Sequence, residues 1–456
     1  MDHKTARIDT FLEERLDRYI GETARLCAQP SISPTGEGVL ECAELVREVL
    51  QAHGLQVNWF ETPGYPVLVA HADGESSRRL LFYNHYDVQP PDPLELWQTP
   101  PFEPTIRDGV LYARGAQDDK GQLVARLAAV DAARDANRGS LPCGVTFVIE
   151  GEEEQGSPHI ADFVRQHIDQ LSCDGTIWEN GGVDAEGCPG TILGVLGVLA
   201  VEVSLRTLKS DAHSGRAHKL PNAAWRLNRM LTTLRDADGT VRIAGFYDSA
   251  RPPSEADLRL LDALPDTEAS DRETYGVKEF VGGMTGDQLK RSIFSPTCNV
   301  AGITAGYQGE GMKTVIPANA KVKIDFRLVP DQDPQDILTK LRAHLDTQGF
   351  GDAHVTPLGG MMWPYKASAD DPLVSLAAST GEAVYQKKYR LTPLLSGSSP
   401  IYAFAGPLGG IPVISAGVGY KGSLNHAPNE NVRLDDFLKA SRHIARIVLG
   451  FADIWK

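Results

Sequence analysis

Two histidines and a set of carboxylates sit in short polar stops that follow apolar runs in this 456-residue chain. LLFYNHYDV (80–88) puts His85 and Asp87 at the end of a strand-like run. Side chains two apart on a strand share a face, so the aspartate can orient the imidazole or back up a ligand. LYARGAQDDKGQLVARLAAV (111–130) sets Asp118 and Asp119 side by side after a glycine turn and ahead of an apolar run. Such a pair is either an acidic helix cap or a carboxylate aimed at a cation. VIEGEEEQGS brings Glu152, Glu153 and Glu154 after a strand, IWENGG brings Glu179, and GSLNHAPNENV brings His426 in a polar loop. Each stop alone also reads as an ordinary surface pair or solvated cap. Together they hold the inventory of a dinuclear metal site: one bridging carboxylate, and a histidine with a further carboxylate for each ion. Two such ions share a water and depress its pKa. Zinc suits mixed histidine and carboxylate donors, and manganese is also compatible. A glutamate beside the ligands is placed to take that water's proton as a general base.

The elements that must present these stops alternate along the chain. Two amphipathic helical stretches fill the first 50 residues. Strand-like PVLVA (66–70), LLFYNHYDV, CGVTFVIEGEEE (143–154) and DGTIWENGG (174–182) then alternate with helical QLVARLAAVDAARDA (122–136) and PHIADFVRQHIDQL (158–171). That order predicts an α/β domain with a mixed, largely parallel sheet flanked by helices, whose strand C-termini are the usual place for a site. After about residue 200 the strands LAVEVSLRTL, NVAGITAGYQ and AKVKIDFRLVP alternate as half-exposed strands do, between the helical LPNAAWRLNRMLTTLRDA and PQDILTKLRAHLDTQG. They predict an inserted α+β domain, an antiparallel sheet with two helices. The expected division is 1–199 and 367–456 for the α/β domain and 200–366 for the insert. SPTGEG (33–38) and the acidic DALPDTEASDRETYG (262–276) read as loops.

Composition removes several function classes. With 45 Lys+Arg against 60 Asp+Glu, the formal charge of -15 argues against nucleic acid or an anionic membrane as partner. The most apolar stretch, ILGVLGVLAV (192–201), is too short to span a bilayer. The charged N-terminus has no secretory pattern, and six scattered cysteines without CxxC spacing point to free thiols in a reducing, cytoplasmic setting.

The ordered series HYD, ARGAQDDKG, EGEEEQGS, WEN and NHAPNEN resembles the dinuclear metallopeptidases that include carnosinase, cytosolic non-specific dipeptidase, aminoacylase, succinyl-diaminopimelate desuccinylase and carboxypeptidase G. The likeness extends over almost the whole chain, including WQTPPFEP (97–104). GITAGYQGEGMKTVIPANAKVKIDFRLVP (302–330) is most similar to the dipeptidase branch. The resemblance implies two divalent ions per subunit, zinc first, with manganese or cobalt as alternatives. It implies His85 and Glu179 on one ion, Glu154 and His426 on the other, Asp118 bridging both, a cis peptide bond between Asp118 and Asp119, Asp87 tuning His85, and Glu153 as the base. LKSDAHSGRAHKLPN resembles the lid motif whose histidine reaches the neighbouring site of a homodimer, so His213 would steady the oxyanion. Asn299, Arg327, Gly397, Ser398 and Ser399 match positions that hold the substrate's carboxylate, although Arg327 reads equally as a salt bridge within the lid.

Three positions depart from the family pattern: Glu179 where the dipeptidase branch often has aspartate, Asn84 where glycine is usual, and Gln117 before the aspartates. The expected function is hydrolysis of dipeptides or short peptides by a cytoplasmic homodimer that contacts its partner through the lid. An N-acyl-amino-acid or N-carbamoyl amidohydrolase would use the same site with a different pocket. A non-catalytic binding protein would have lost Glu153 or a ligand, and none is missing.

Overall fold

The computed structural model describes residues 3–455. In chain order the elements used below are α1 (His3–Ala28), α2 (Val39–Ala52), β1 (Gln56–Phe60), β2 (Val67–Ala72), β3 (Gly74–His85), α3 (Lys120–Ala136), β4 (Leu141–Glu150) and β5 (Gly175–Trp178). There follow β6 (Gly197–Arg206), α4 (Ala223–Leu234), β7 (Thr297–Ala305), β8 (Asn319–Leu328), α5 (Pro334–Thr347) and β9 (His354–Pro357). The chain ends with α6 (Pro372–Tyr385), β10 (Val413–Ser415) and α7 (Leu434–Gly450).

Two compact units form. The first takes the chain through Leu193, Ala367–Thr392 and everything from Ala403; the second takes Gly194–Lys366 and Pro393–Tyr402. The sequence pattern places the first boundary after residue 199 and residues 393–402 in the first unit. Backbone hydrogen bonds explain the difference, because Leu395 N–H donates to Gly194 and Leu196 N–H donates to Gly397.

The first unit is built on a six-stranded sheet ordered β1-β2-β4-β3-β5-β10. β3 runs parallel to β4 and β5, and β10 parallel to β5, while β1 and β2 are antiparallel. The sheet is therefore mixed and largely parallel, as the alternating pattern predicts. β4, LPCGVTFVIE, is buried at every position, which a continuous apolar run allows only in a strand covered on both faces. α3 packs between α1 and α7, and its alanines (Ala125, Ala128, Ala129, Ala132) let those helices approach closely.

The second unit carries the antiparallel sheet β7-β8-β6-β9 with α4 and α5. β6 alternates buried and part-exposed residues along its length. Its inward Leu199, Val201, Val203 and Leu205 meet Leu227 and Met230 of α4 and Leu338 and Leu341 of α5 in one core. The acidic stretch 262–276, expected as a loop, is largely helical, with helices at Glu255–Ala263 and Glu268–Tyr275. Ser254 and Asp257 close a capping box at the first of them. The second buries no residue, so no apolar periodicity marked it. Among the described residues no helix is long and apolar enough to cross a membrane, and all six cysteines are free.

Three helices of the first unit meet at His53. Its Nδ1 faces Asp131 of α3 at 2.7 Å and its Nε2 faces Glu22 of α1 at 2.9 Å. Burial alone would lower its pKa, but the two carboxylates outweigh burial and lift it to about 9 from the ordinary 6.5. A raised folded-state pKa gives stability that is complete below about pH 6.5 and lost as pH rises through about 9. At 1.36 kcal/mol per pH unit the ceiling is about 3 kcal/mol. Urea unfolding should show His53→Gln clearly destabilised at pH 6, with the gap to wild type closing by pH 10. An equal gap at both pH values would contradict the charged pairing.

Candidate metal centre

Four parallel strands deliver the stops to one end of the first unit's sheet. β3 ends on His85, β4 on Glu150 just before Glu152–Glu154, β5 on Trp178 just before Glu179, and β10 leads into the loop bearing His426. Asp118 precedes α3, and its peptide bond to Asp119 is cis, as the resemblance implies.

The Asp118 carboxylate is shared. Its Oδ1 lies 3.1 Å from His85 Nε2 and its Oδ2 lies 3.1 Å from His426 Nε2. Glu179 Oε2 faces His85 Nε2 at 3.8 Å, and Glu154 Oε2 faces His426 Nε2 at 3.2 Å. Ligand atoms of His85, Glu153 and Glu179 form one tight group, and those of Asp118, Glu154 and His426 form another. His85 is fully buried, whereas the His426 side chain is half exposed at the rim.

These residues fit a pair of divalent cations. His85 Nδ1 donates to the Asp87 carbonyl at 3.0 Å, so Nε2 turns a lone pair toward the oxygens of Asp118 and Glu179. Glu179 Oε2 is buried without a hydrogen-bond partner among the described residues, although Oε1 accepts from Trp178 Nε1. Burial pushes the Glu179 carboxyl well above the usual range, and nearby Glu153 adds to it. Glu153 is lifted to about 7, first by burial and then, against the pull of His85, by Glu154, Asp118 and Asp87. The cluster cannot hold all these carboxylates ionised unless positive charge is supplied among them.

Supporting contacts lock the donors. Asp87 does not reach His85 best through its carboxylate, which sits 3.4 Å from Nδ1. Instead that carboxylate accepts from Ser33 Oγ (2.7 Å) and from the backbone N–H groups of Glu153 (3.3 Å) and Glu154 (3.0 Å). It thereby aims the glutamate turn while its own carbonyl aims the histidine. Asn84, at the position where glycine was expected, donates to Asp119 Oδ2, which also accepts from His85 N–H. Gln117, the other departure, donates to Asn180 Oδ1 at 2.9 Å.

Glu430 went unassigned in the sequence, although NHAPNEN contains it. Fully buried, it accepts from the N–H groups of Gly115 (3.0 Å), Gln117 (2.9 Å) and Asp118 (2.9 Å) and from Arg114 Nη1 (2.8 Å). It therefore ties the His426 loop to the turn that presents Asp118. The first turn of α3 closes on that turn as well, since a Cβ on Gly121 would lie 1.9 Å from the Ala116 carbonyl. Lys120 Nζ donates to the carbonyls of Leu26 and Gln29, tying the same turn to the end of α1.

The remaining candidates lie in the second unit. His213 ends a two-residue strand paired with Val315, and its Nδ1 accepts from Gly215 N–H at 3.0 Å. A backbone N–H can only donate, so the neutral ring carries its proton on Nε2. Arg327 Nη1 donates to Ser398 Oγ at 3.0 Å, and Asn299 Nδ2 donates to Asp325 Oδ2 at 2.8 Å. The salt-bridge reading of Arg327 has a weak counterpart in Asp325, 3.9 Å from its Nε. Gly397 is engaged through its carbonyl with Leu196 N–H, and the Ser399 hydroxyl is buried without a hydrogen-bond partner among the described residues.

A family model described as peptidase family M20/M25/M40 matches residues 81–450. A crystal structure of an M20 family metallo-carboxypeptidase from Sulfolobus solfataricus is 35% identical, covers 95% of this chain and 99% of its own, and superposes with a TM-score of 0.83. The Beta-Ala-His dipeptidase of Rattus norvegicus is 28% identical over 62% of this chain; that match spans 58% of the rat protein. A Cys-Gly metallodipeptidase of Schizosaccharomyces pombe is 24% identical over 97% of both chains.

Glu430→Gln replaces one acceptor oxygen with an amide that faces backbone donors, and leaves Arg114 without its counter-charge. Broken buried charge networks of this kind cost about 3–5 kcal/mol. Urea midpoints should fall accordingly, and an unchanged midpoint would contradict the anchoring role.

Proposed function

The chain belongs to peptidase family M20/M25/M40, and from that premise we propose that it is a metal-dependent hydrolase of dipeptides or short peptides. The observation that carries this reading is the Asp118 carboxylate, with one oxygen toward each histidine and Glu153 beside the pair. His85 and Glu179 would hold one ion, Glu154 and His426 the other, and Asp118 both. Two bound divalent ions would polarise the scissile carbonyl and acidify the water they share. Zinc is the proposed ion for this donor set, with manganese and cobalt as alternatives.

Glu153 takes the proton from the attacking water and delivers it to the departing amine. A carboxylate lying beside the His85 and Glu179 ligand atoms is placed to serve both halves of that transfer. Asp87 holds the base and its neighbour Glu154 by their backbone N–H groups. In the second unit, Arg327 with Ser398, and with them Asn299, Gly397 and Ser399, are proposed to receive the substrate's terminal carboxylate, a task that suits a guanidinium fork. The proton on His213 Nε2 would donate to the oxyanion, supplied across a homodimer. The outer strand β7 supports such pairing, because Val300 and Ile303 are exposed on it. Six free thiols accord with a cytoplasmic setting. The amidohydrolase alternative is not favoured, since the relatives named above are peptidases.

Glu153→Gln should lower kcat about 10²–10⁴-fold while bound metal stays at two ions per subunit. Near-normal turnover would remove Glu153 from the base role. Exhaustive chelation should abolish activity and added zinc, manganese or cobalt restore it; activity that survives chelation would sink the metal mechanism. A panel of dipeptides against N-acetyl and N-succinyl amino acids should favour the peptides, and a clear preference for the acyl compounds would move the chain to the amidohydrolase class.

A further inference from the structure

The strands that carry His85 and lead to Glu179 are paired with each other only up to a point short of those residues. β3 nevertheless keeps its ladder with β4 as far as His85 and Glu150, and β5 its ladder with β10 as far as Trp178 and Ser415. The parallel ladder between β3 and β5 matches Leu80 with Gly175, Leu81 with Thr176 and Phe82 with Ile177, and then ends. The next carbonyls, those of Tyr83 and Trp178, are instead bridged by a single side chain. Arg126 Nη1 donates to Tyr83 O and Nη2 donates to Trp178 O, both at 2.5 Å. The Tyr83 and Trp178 rings stack beside this bridge, with centroids 3.9 Å apart and planes 9° from parallel.

Arg126 lies on α3, seven residues or two turns after Asp119, and so on the same helical face. It is fully buried. Burial lowers its pKa, and the carboxylates of Asp119 and Glu179 work against that loss. Among the described residues, none of its hydrogen bonds goes to another side chain. A guanidinium is planar, permanently charged and carries two parallel donors, which is the geometry needed to replace a missing rung between two strands.

We infer that Arg126 is the positioning residue that holds the ends of β3 and β5 at the separation His85 and Glu179 need to bind one ion. The inference rests on the two-cation reading above. It concerns the His85–Glu179 ion specifically, because the recorded hydrogen bonds of Arg126 go to Tyr83 and Trp178 on β3 and β5, whereas Glu154 and His426 follow β4 and β10.

The test uses Arg126→Lys, which keeps a buried cation without the planar fork, and Arg126→Met, which removes the charge. Metal-stripped wild type and variants are titrated with cobalt(II), followed by the visible spectrum and by metal analysis after dialysis. Glu179→Gln identifies the spectral band of the ion in question. Wild type should take two ions. Both variants should bind the Glu179-dependent ion about 10–100-fold more weakly, with an altered band, and keep the other ion near wild-type affinity. A wild type that takes fewer than two ions removes the two-cation reading and this inference with it. A two-ion wild type whose variants match it in affinity and spectrum, or lose both ions equally, overturns the inference alone. Should neither variant fold, nitrogen-15 arginine spectra of the wild type decide. A locked guanidinium signal that shifts with only one of the two metal equivalents supports the role, and a signal indifferent to both overturns it.

Discussion

The Asp118 carboxylate is shared between two imidazoles, and that sharing constrains the rest of the first unit. Its oxygens lie 3.1 Å from His85 and from His426, residues more than 300 positions apart in the chain. Holding one short side chain at equal distance from both requires a backbone with almost no freedom. Glu430 supplies three acceptor contacts to the 115–118 turn, and Gly121 lets α3 close against it. Lys120 fastens the same turn to the end of α1. The bridging position is thus bound to the first helix, to the core helix and to the last loop at once.

The second constraint is charge. Asp87, Asp118, Asp119, Glu153, Glu154 and Glu179 crowd one end of the sheet, against the fully charged but buried Arg126 and two histidines. Such a cluster is costly to fold unless cations enter it. Metal bound here would therefore be coupled to the stability of this end of the unit.

Much of this was legible in the sequence, for a physical reason. A strand that ends at a site switches abruptly from apolar to polar, and NHYD, IEGEEE and WEN all do so. The mixed parallel sheet, the antiparallel sheet and the two helices packed on it followed from the difference between continuous and alternating apolar runs. The supports were harder to see. Ser33 reaches Asp87 across 54 positions, and nothing local marks it. Glu430 and Arg114 stood inside recognised motifs but look like surface charges until the turn between them is folded. Arg126 reads as the polar residue of an amphipathic helix, yet it is fully buried because two strand carbonyls need its donors. The helix at Glu268–Tyr275 has no apolar face to mark it, since it buries no residue and is spanned instead by the Glu268–Arg272 ion pair.

The site as proposed stands on Asp118 bridging two cations, each completed by one histidine. Anomalous diffraction from crystals of the protein grown with zinc, with data on both sides of the zinc edge, addresses it directly. Two anomalous peaks per subunit are expected, one on each side of the Asp118 carboxylate, the first against His85 and Glu179 and the second against His426 and Glu154. A single peak, or peaks that leave Asp118 out of contact, would contradict it.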